Sequence, residues 1–390
     1  MWRCPGARCE LPGVAEAQIV GSFYLEKQSF APGEPVFLYF RIPATSPLAS
    51  TLPAGYGDQP MCSGVEIHVS NDKPMSTASC SLSPESLCVM NGRAMDSSAT
   101  PQGQTITKRF ILNFQHKLDV PGSYWVYAER KERIGAALVT SHAKLYFRID
   151  GNLPTYSAEK LQAWVKQLKS PDVETRLEAA RVLASIAPVQ MEPMFVEFTH
   201  SEEFAQYAPL AFARLHDQTS LIALANIIRN RPFGSFESLE AARYLAEEGG
   251  KYWSPVLLGV ATQHYGYLAY AAEAGGDAVL PDLQSFVPNP SRHLEAIEAL
   301  GWTGSRKAVP ILLELLESTD RDTSSRAEWA LRILTHRISS GDAADPHKRY
   351  VQWSEWWRSE GATTVIFKPG DCGRERPLKG DQSIKNDAAP

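Results

Sequence analysis

Six alanines, Ala180, Ala211, Ala242, Ala271, Ala299 and Ala330, recur at spacings of 31, 31, 29, 28 and 31 residues. Each lies in a short segment rich in small residues and Leu: AARVLASI (179–186), LAFARLHD (210–217), AARYLAEEGG (241–250), YAAEAGGDAVLP (270–281), EALGWTGSRKAVP (298–310) and AEWALRIL (327–334). A period near 30 residues holds two helices and their turns. A helix pair of that size exposes an apolar stripe that only another pair can cover, so the repeat predicts an α-solenoid over 151–360. Pro193, Pro255, Pro281 and Pro310 follow successive anchors, where the fixed φ of proline suits the first turn of the next helix.

Before this region the periodicity is two rather than 3.6. Gln18–Leu25, Pro35–Ile42, Gly64–Ser70, Gln104–Phe114, Gly122–Glu129 and Ala143–Ile149 are short runs rich in Val, Ile, Phe and Tyr, separated by Pro, Gly and Ser, which is strand chemistry. Val65, Ile67 and Val69 alternate with Glu66 and His68, so His68 is expected on a wet face. The period changes near Asp150–Pro154, with Ser157 placed to cap a first helix whose stripe is Leu161, Trp164, Val165 and Leu168. At roughly 100–200 residues per domain, 390 residues should contain more than one core. The expected organisation is an uncertain segment over 1–17, an all-β domain over 18–150, the helical domain over 151–360 and an extended or disordered tail over 361–390. Within that last stretch Thr363–Phe367 has the composition of one strand. The helix His347–Glu360 places Trp353, Trp356 and Trp357 on one face, suited to closing the end of the helical stack.

Two resemblances add to this reading. Ala31-Pro32-Gly33-Glu34 is turn chemistry before an apolar run, and Asp119-Val120-Pro121-Gly122-Ser123-Tyr124 resembles the tyrosine-corner approach to a late strand of immunoglobulin-like β-sandwiches. Pro171–Ala180 and Glu298–Gly304 resemble short HEAT-like repeats, including those of phycobilisome lyases. The resemblances imply an immunoglobulin-like sandwich followed by a HEAT-like α-solenoid. The second also implies, as an alternative activity, a bilin-lyase-like or chaperone-type role.

Cysteine usage is uneven. Cys62, Cys80 and Cys88 sit in or beside a Ser/Pro/Gly-rich insertion over 43–104, the helical region has none, and Cys372 lies in the tail. Cys4 and Cys9 complete the set. A long insertion calls for a tie, so at least one disulfide is expected among Cys62, Cys80 and Cys88, with Cys372 the remaining candidate by count. Ala15-Glu16-Ala17 has the form of a signal-peptidase site, but residues 1–14 lack the apolar stretch that should precede it. The expected location is secreted, periplasmic or in the cell envelope, with the cytoplasm as the alternative.

Chemistry-bearing motifs are sparse. No His pair flanks a Glu at helical spacing, and no GxSxG, Walker or GxGxxG pattern occurs. Glu247-Glu248-Gly249-Gly250 reads as a helix stop, and Asp320-Arg321-Asp322 as an exposed turn. No catalytic, metal or cofactor residue is expected. Basic and acidic residues number 39 and 44, without the basic excess that nucleic acid requires, and no apolar run is long enough for a membrane helix. The acidity is concentrated in 151–340, with 17 basic and 23 acidic residues. Tyr244, Tyr252, Trp253, Tyr265, Tyr267 and Tyr270 cluster within that region, and aromatic residues are the usual anchors of an interface. The expected function is a non-enzymatic scaffold that binds a protein partner with a basic surface through these residues. An extracellular peptidase inhibitor or adhesive module is a further alternative.

Overall fold

The computed structural model describes residues 21–42, 65–70, 106–114, 118–134, 137–337 and 345–367. A smaller sheet region precedes a mostly helical one, and the described chain divides into two compact units between Arg176 and Leu177.

The first unit contains β1 (Ser22–Leu25), β2 (Ser29–Phe30), β3 (Phe37–Ile42), β4 (Val65–Ser70), β5 (Ile106–Ile111), β6 (Gly122–Ile134) and β7 (Ala137–Ile149). They form two sheets, in the orders β1-β3-β5 and β2-β7-β6-β4. All pairings are antiparallel except that of β2 with β7. Alternation decides which side chains turn inward. Leu38, Phe40, Ile42 and Phe110 from one sheet, and Val65, Ile67, Val69, Val126 and Phe147 from the other, enter a single buried cluster. The two sheets therefore share one core.

β3 is apolar or aromatic from Phe37 to Phe40 because both faces are covered there, while Arg41 is exposed. Leu38, Phe40 and Ile42 point into the core. On the opposite face Phe37 meets the Trp164 ring at 6.2 Å and carries the Arg109 guanidinium at 4.6 Å. Trp164 belongs to α1 (Ala158–Gln167), capped as expected by Ser157, whose hydroxyl accepts the Lys160 N–H. The strand-to-helix change therefore falls at the expected place, while the compact unit continues past it, because α1 packs on the sheet.

Two turns match their sequence chemistry. Ala31–Glu34 closes with the Glu34 N–H donating to the Ala31 carbonyl (3.1 Å), and the Glu34 carboxylate accepts the Ala31 N–H (2.8 Å). The buried Asn113 accepts the Val36 N–H at 2.7 Å and donates to the Glu34 carbonyl at 3.2 Å, tying this turn to the end of β5. Before β6, the Tyr124 hydroxyl donates to the Val120 carbonyl at 2.9 Å. Strand lengths depart from expectation in the β6–β7 hairpin, which is paired without interruption from Gly122↔Ile149 to Ile134↔Ala137. The charged run 130–133 looks like a loop by composition. Its backbone groups nevertheless find partners across the hairpin, and that pairing overrides composition. β2, only two residues long, leaves no periodic signal.

The helical unit continues through α2 (Val173–Ile186), α3 (Glu192–His200), α4 (Ala208–Leu215), α5 (Gln218–Asn230), α6 (Phe236–Gly249), α7 (Ser254–Gln263) and α8 (Leu268–Gly275). It ends with α9 (Leu280–Phe286), α10 (His293–Trp302), α11 (Ala308–Leu316), α12 (Arg321–Thr335) and α13 (Pro346–Glu360). The six anchor alanines lie on the even-numbered helices α2 to α12, and every one is fully buried. From α4 to α12 each even-numbered helix packs on the next, and odd-numbered helices from α5 to α11 pack on even-numbered neighbours. Small residues at the anchors permit this approach. At Gly301 on α10 a Cβ would stand 2.8 Å from the Ala330 Cα of α12, so even Ala is too large there. Pro193, Pro255 and Pro281 are second residues of α3, α7 and α9, and Pro310 is the third of α11.

α13 packs on α11. Trp353 and Trp356 are buried, edge to face at 5.4 Å, and Trp357 lies under the Arg306 guanidinium at 5.3 Å. The expected strand at Thr363–Phe367 does not form: Thr363 and Thr364 donate back to the Glu360 carbonyl, and the segment makes one backbone bond to α12, the Phe367 N–H to the Leu334 carbonyl at 2.8 Å. A β-favourable composition is insufficient without a strand beside it to pair with.

Candidate functional site

The six aromatic residues clustered in the sequence separate in space. Tyr267 is fully buried, shares a 2.5 Å hydrogen bond with the Ser238 hydroxyl and accepts the Gly234 N–H at 3.1 Å. Trp253 is buried against the helix stop, where a Cβ at Gly249 would stand 2.5 Å from its ring. Tyr244 is also buried, beneath the Arg243 guanidinium at 4.0 Å. These three are core residues and cannot act as surface anchors. Three residues apart on α8's entry, Tyr267 and Tyr270 touch edge to face at 6.2 Å.

Tyr252 and Tyr265 are the exposed members, at 75% and 68%. They flank α7, a helix of 10 residues, and at 1.5 Å per residue stand about 15 Å apart along its axis. They are not one cluster. Between the extremes, Tyr270 is half-buried and its hydroxyl is pushed up to about 12, first by burial and then by the Glu240 carboxylate. Arg243 bridges Glu240 at 2.6 Å and Glu247 at 2.9 Å, which holds that part of α6 in a fixed charge lattice. Asp320-Arg321-Asp322, expected as an exposed turn, is instead the start of a helix: Asp320 caps α12, accepting the Thr323 N–H at 3.0 Å, and bonds from Thr323 hold its carboxyl below the usual range.

A pattern not evident from the sequence emerges from exposure. Val189, Val196, Ile222, Phe233, Tyr252 and Tyr265 are large, exposed and apolar or aromatic, and all lie on or beside α3, α5 and α7. Among the described residues, α9 and α11 carry no equivalent. Most of the large exposed apolar residues described in the helices therefore lie on or beside the odd-numbered helices of the first half, with Val173 at the start of α2 and Val365 after α13 as exceptions. A helical phase shows that one face is apolar, but Ile222 and Val196 are indistinguishable from core residues without knowing where the neighbouring helices stop.

The sheet unit has its own candidate surface. The wet face of β6 and β7 pairs Trp125 with Tyr146 and Tyr127 with Lys144. The Lys144 ammonium sits 4.5 Å from the Trp125 ring centroid and 5.6 Å from that of Tyr146. Beside them a cavity of about 550 Å³ is lined by Gln28, Ser29, Ser123, Tyr146 and Arg148. The signal was present in the sequence: in Ser123–Glu129 the outward phase of the alternation carries Trp125 and Tyr127 where polar residues are the rule.

Cys62, Cys80, Cys88 and Cys372 lie outside the described residues, as do the N-terminal segment and the side chain of His68. Among the described residues no three His, Cys, Asp or Glu side chains converge to hold a metal ion, and no helix is long and apolar enough to cross a membrane. No family model matches the chain, and no curated protein matches it.

Proposed function

We propose that this protein is a non-catalytic interaction scaffold of the secreted space or cell envelope, built from an immunoglobulin-like sandwich and a HEAT-like α-solenoid, which captures a protein partner with its helical unit. The sandwich reading is supported by the strand distribution. Leaving aside the two-residue β2, the sheets β1-β3-β5 and β7-β6-β4 correspond to the first, second and fifth and to the third, sixth and seventh strands of constant-type domains, whose fourth strand has no counterpart among the described residues, and the Tyr124–Val120 bond has the form of a tyrosine corner. The solenoid reading is supported by anchor alanines buried on every second helix.

The observation that carries the functional reading is the concentration of exposed apolar residues on or beside α3, α5 and α7, against two single ones elsewhere in the helices and tail, Val173 and Val365. Such residues concentrated on one stretch of a repeat array favour a protein contact over a solvated face. Tyr252 and Tyr265 remain the aromatic anchors of the reading, at its edge rather than its centre. The acidic excess of 151–340 calls for a partner with a basic surface, whose association weakens as salt rises.

A photo-crosslinking residue placed in the full-length protein at Val196, Ile222 or Tyr252 should label the same partner, and labelling should fall with added salt. The same residue at Glu314 on α11 should not. Equal labelling from Glu314, or labelling only from Tyr146 on the sheet unit, contradicts the assignment.

A further inference from the structure

The wet face of the sheet unit carries a cavity whose chemistry differs from that of the helical surface. Register puts Ser29, Arg148 and Ser123 in one row across β2, β7 and β6, and paired residues project to the same side of a sheet. Two small serines beside a long arginine leave a hollow. Tyr146, the next outward residue of β7, forms its wall, and the hollow is the cavity of about 550 Å³ lined by Gln28, Ser29, Ser123, Tyr146 and Arg148. The two other lining residues, Tyr124 and Phe147, belong to the buried core, so the floor is the paired, rigid part of the hairpin.

The polar groups are held in place before any ligand arrives. The Arg148 N–H donates to the Gln28 carbonyl at 2.8 Å, which sets Gln28 beside the cavity. The Arg148 guanidinium donates to Asp150 at 2.8 Å, and Asp150 in turn accepts the Asn152 N–H at 3.0 Å. Arg148 is thereby oriented while 61% of its side chain stays in water, and a guanidinium has five donors, more than one carboxylate can occupy. Tyr146 is 60% exposed. Lys144, one outward position further along β7, has its ammonium 5.6 Å from the Tyr146 ring centroid. Asp150 balances one of these two cations, which leaves the surroundings of the ring net positive.

These groups specify a ligand. An aromatic wall takes the C–H face of a saturated ring, an amide and two hydroxyls exchange hydrogen bonds with neighbouring hydroxyls, and a net positive setting calls for an anion. A pyranose that carries a carboxylate has all three features. An acidic peptide satisfies the cations but brings neither a rigid C–H face for Tyr146 nor a row of hydroxyls for the serines. We propose that this cavity binds a uronic acid residue of an acidic polysaccharide. The sugar ring stacks on Tyr146, its carboxylate accepts from Arg148 with Lys144 near it, and its hydroxyls bond to Gln28, Ser29 and Ser123. The site rests on the sheet unit alone and is separate from the protein contact assigned to the helices.

The test uses the full-length protein with galacturonate, mannuronate and hyaluronan tetrasaccharides, each beside its carboxyl-reduced form, followed by saturation-transfer NMR. At least one acidic tetrasaccharide should bind, with transfer strongest to the ring C–H protons, and its carboxyl-reduced form should bind at least about tenfold more weakly. Tyr146→Ala should abolish binding and Tyr146→Phe should retain it, while Arg148→Gln should remove the preference for the acidic form. The carboxyl-reduced arm leaves the protein unaltered, so it remains decisive if a variant is unstable. Four results overturn the proposal: none of the acidic tetrasaccharides binds, the carboxyl-reduced form binds equally well, binding survives Tyr146→Ala, or tetraglutamate binds as tightly as the best sugar and marks the site as one for acidic peptides.

Discussion

In the sheet unit, Phe40 on the third strand and Phe147 on the last enter the same buried cluster, so residues far apart in the chain depend on one another. In the helical unit, Ala271 on α8 is packed by the helices one period before and after it. Both units bury apolar surface, but the first does so through a single core closed by long-range pairing and the second through a series of local contacts. Damage in the first should spread across the unit. Damage in the second should stay near its origin.

The largest expected effect is at Phe40, which is fully buried between the sheets. Phe40→Ala should cost about 3–5 kcal/mol and broaden or abolish the unfolding transition of the whole sheet unit, followed by near-UV circular dichroism. Retention of native signal around Trp125 would count against a single shared core.

A comparable local cost is expected at the buried pair Arg292–Glu295, 2.7 Å apart. Glu295 also accepts the Gly266 N–H at 2.7 Å and the Leu268 N–H at 3.2 Å, holding the loop before α8. Arg292→Met strands that carboxylate and should cost about 3 kcal/mol, with hydrogen exchange accelerated in 264–302 and unchanged in α3 to α5. Acceleration across the entire helical unit would show that its repeats are not semi-independent.

Tyr267→Phe removes the partner of the Ser238 hydroxyl and the Gly234 N–H, and should lower stability by about 1–3 kcal/mol. An unchanged melting temperature would mean these bonds are dispensable. Each unit also contains one tyrosine pushed up to about 12: Tyr39, buried and bonded to Glu26, and Tyr270. The folded state keeps both phenols protonated while the unfolded chain ionises them near pH 10. Stability should accordingly fall as pH rises from about 10 toward 12, and Tyr39→Phe or Tyr270→Phe should flatten that fall in its own unit. The smallest effect is at Tyr252, whose ring is exposed: Tyr252→Ala should stay within about 0.5 kcal/mol of the native protein while reducing partner capture.

The two units also differed in how far the sequence reveals them. The anchor alanines announced their own burial, because a repeat states the same constraint six times and chance variation averages out. The strands were legible wherever β-branched and aromatic residues alternate, as at Val65–Val69. Legibility failed where pairing rather than composition decides the outcome: the arms of the β6–β7 hairpin beyond Glu129, the two-residue β2, and Thr363–Phe367, which has strand-like residues and no strand to join. The proposed site was the least legible. Proximity in sequence grouped Tyr244, Trp253 and Tyr267 with Tyr252 and Tyr265, but one turn of helix is enough to send neighbours to core and solvent. The apolar residues of α3, α5 and α7 become a surface only once the packing of the even-numbered helices is known.

Hydrogen exchange with mass spectrometry on full-length Gly301→Val tests the contrast most directly. A side chain at this position collides with the Ala330 backbone, prying α10 from α12. Fast exchange should be confined to α10, α12 and the helices packed on them, while α3 to α6 and the β6–β7 hairpin keep native protection. Uniform loss of protection from α3 to α13 would contradict the account, because it would make the helical unit a single cooperative core like that of the sheets.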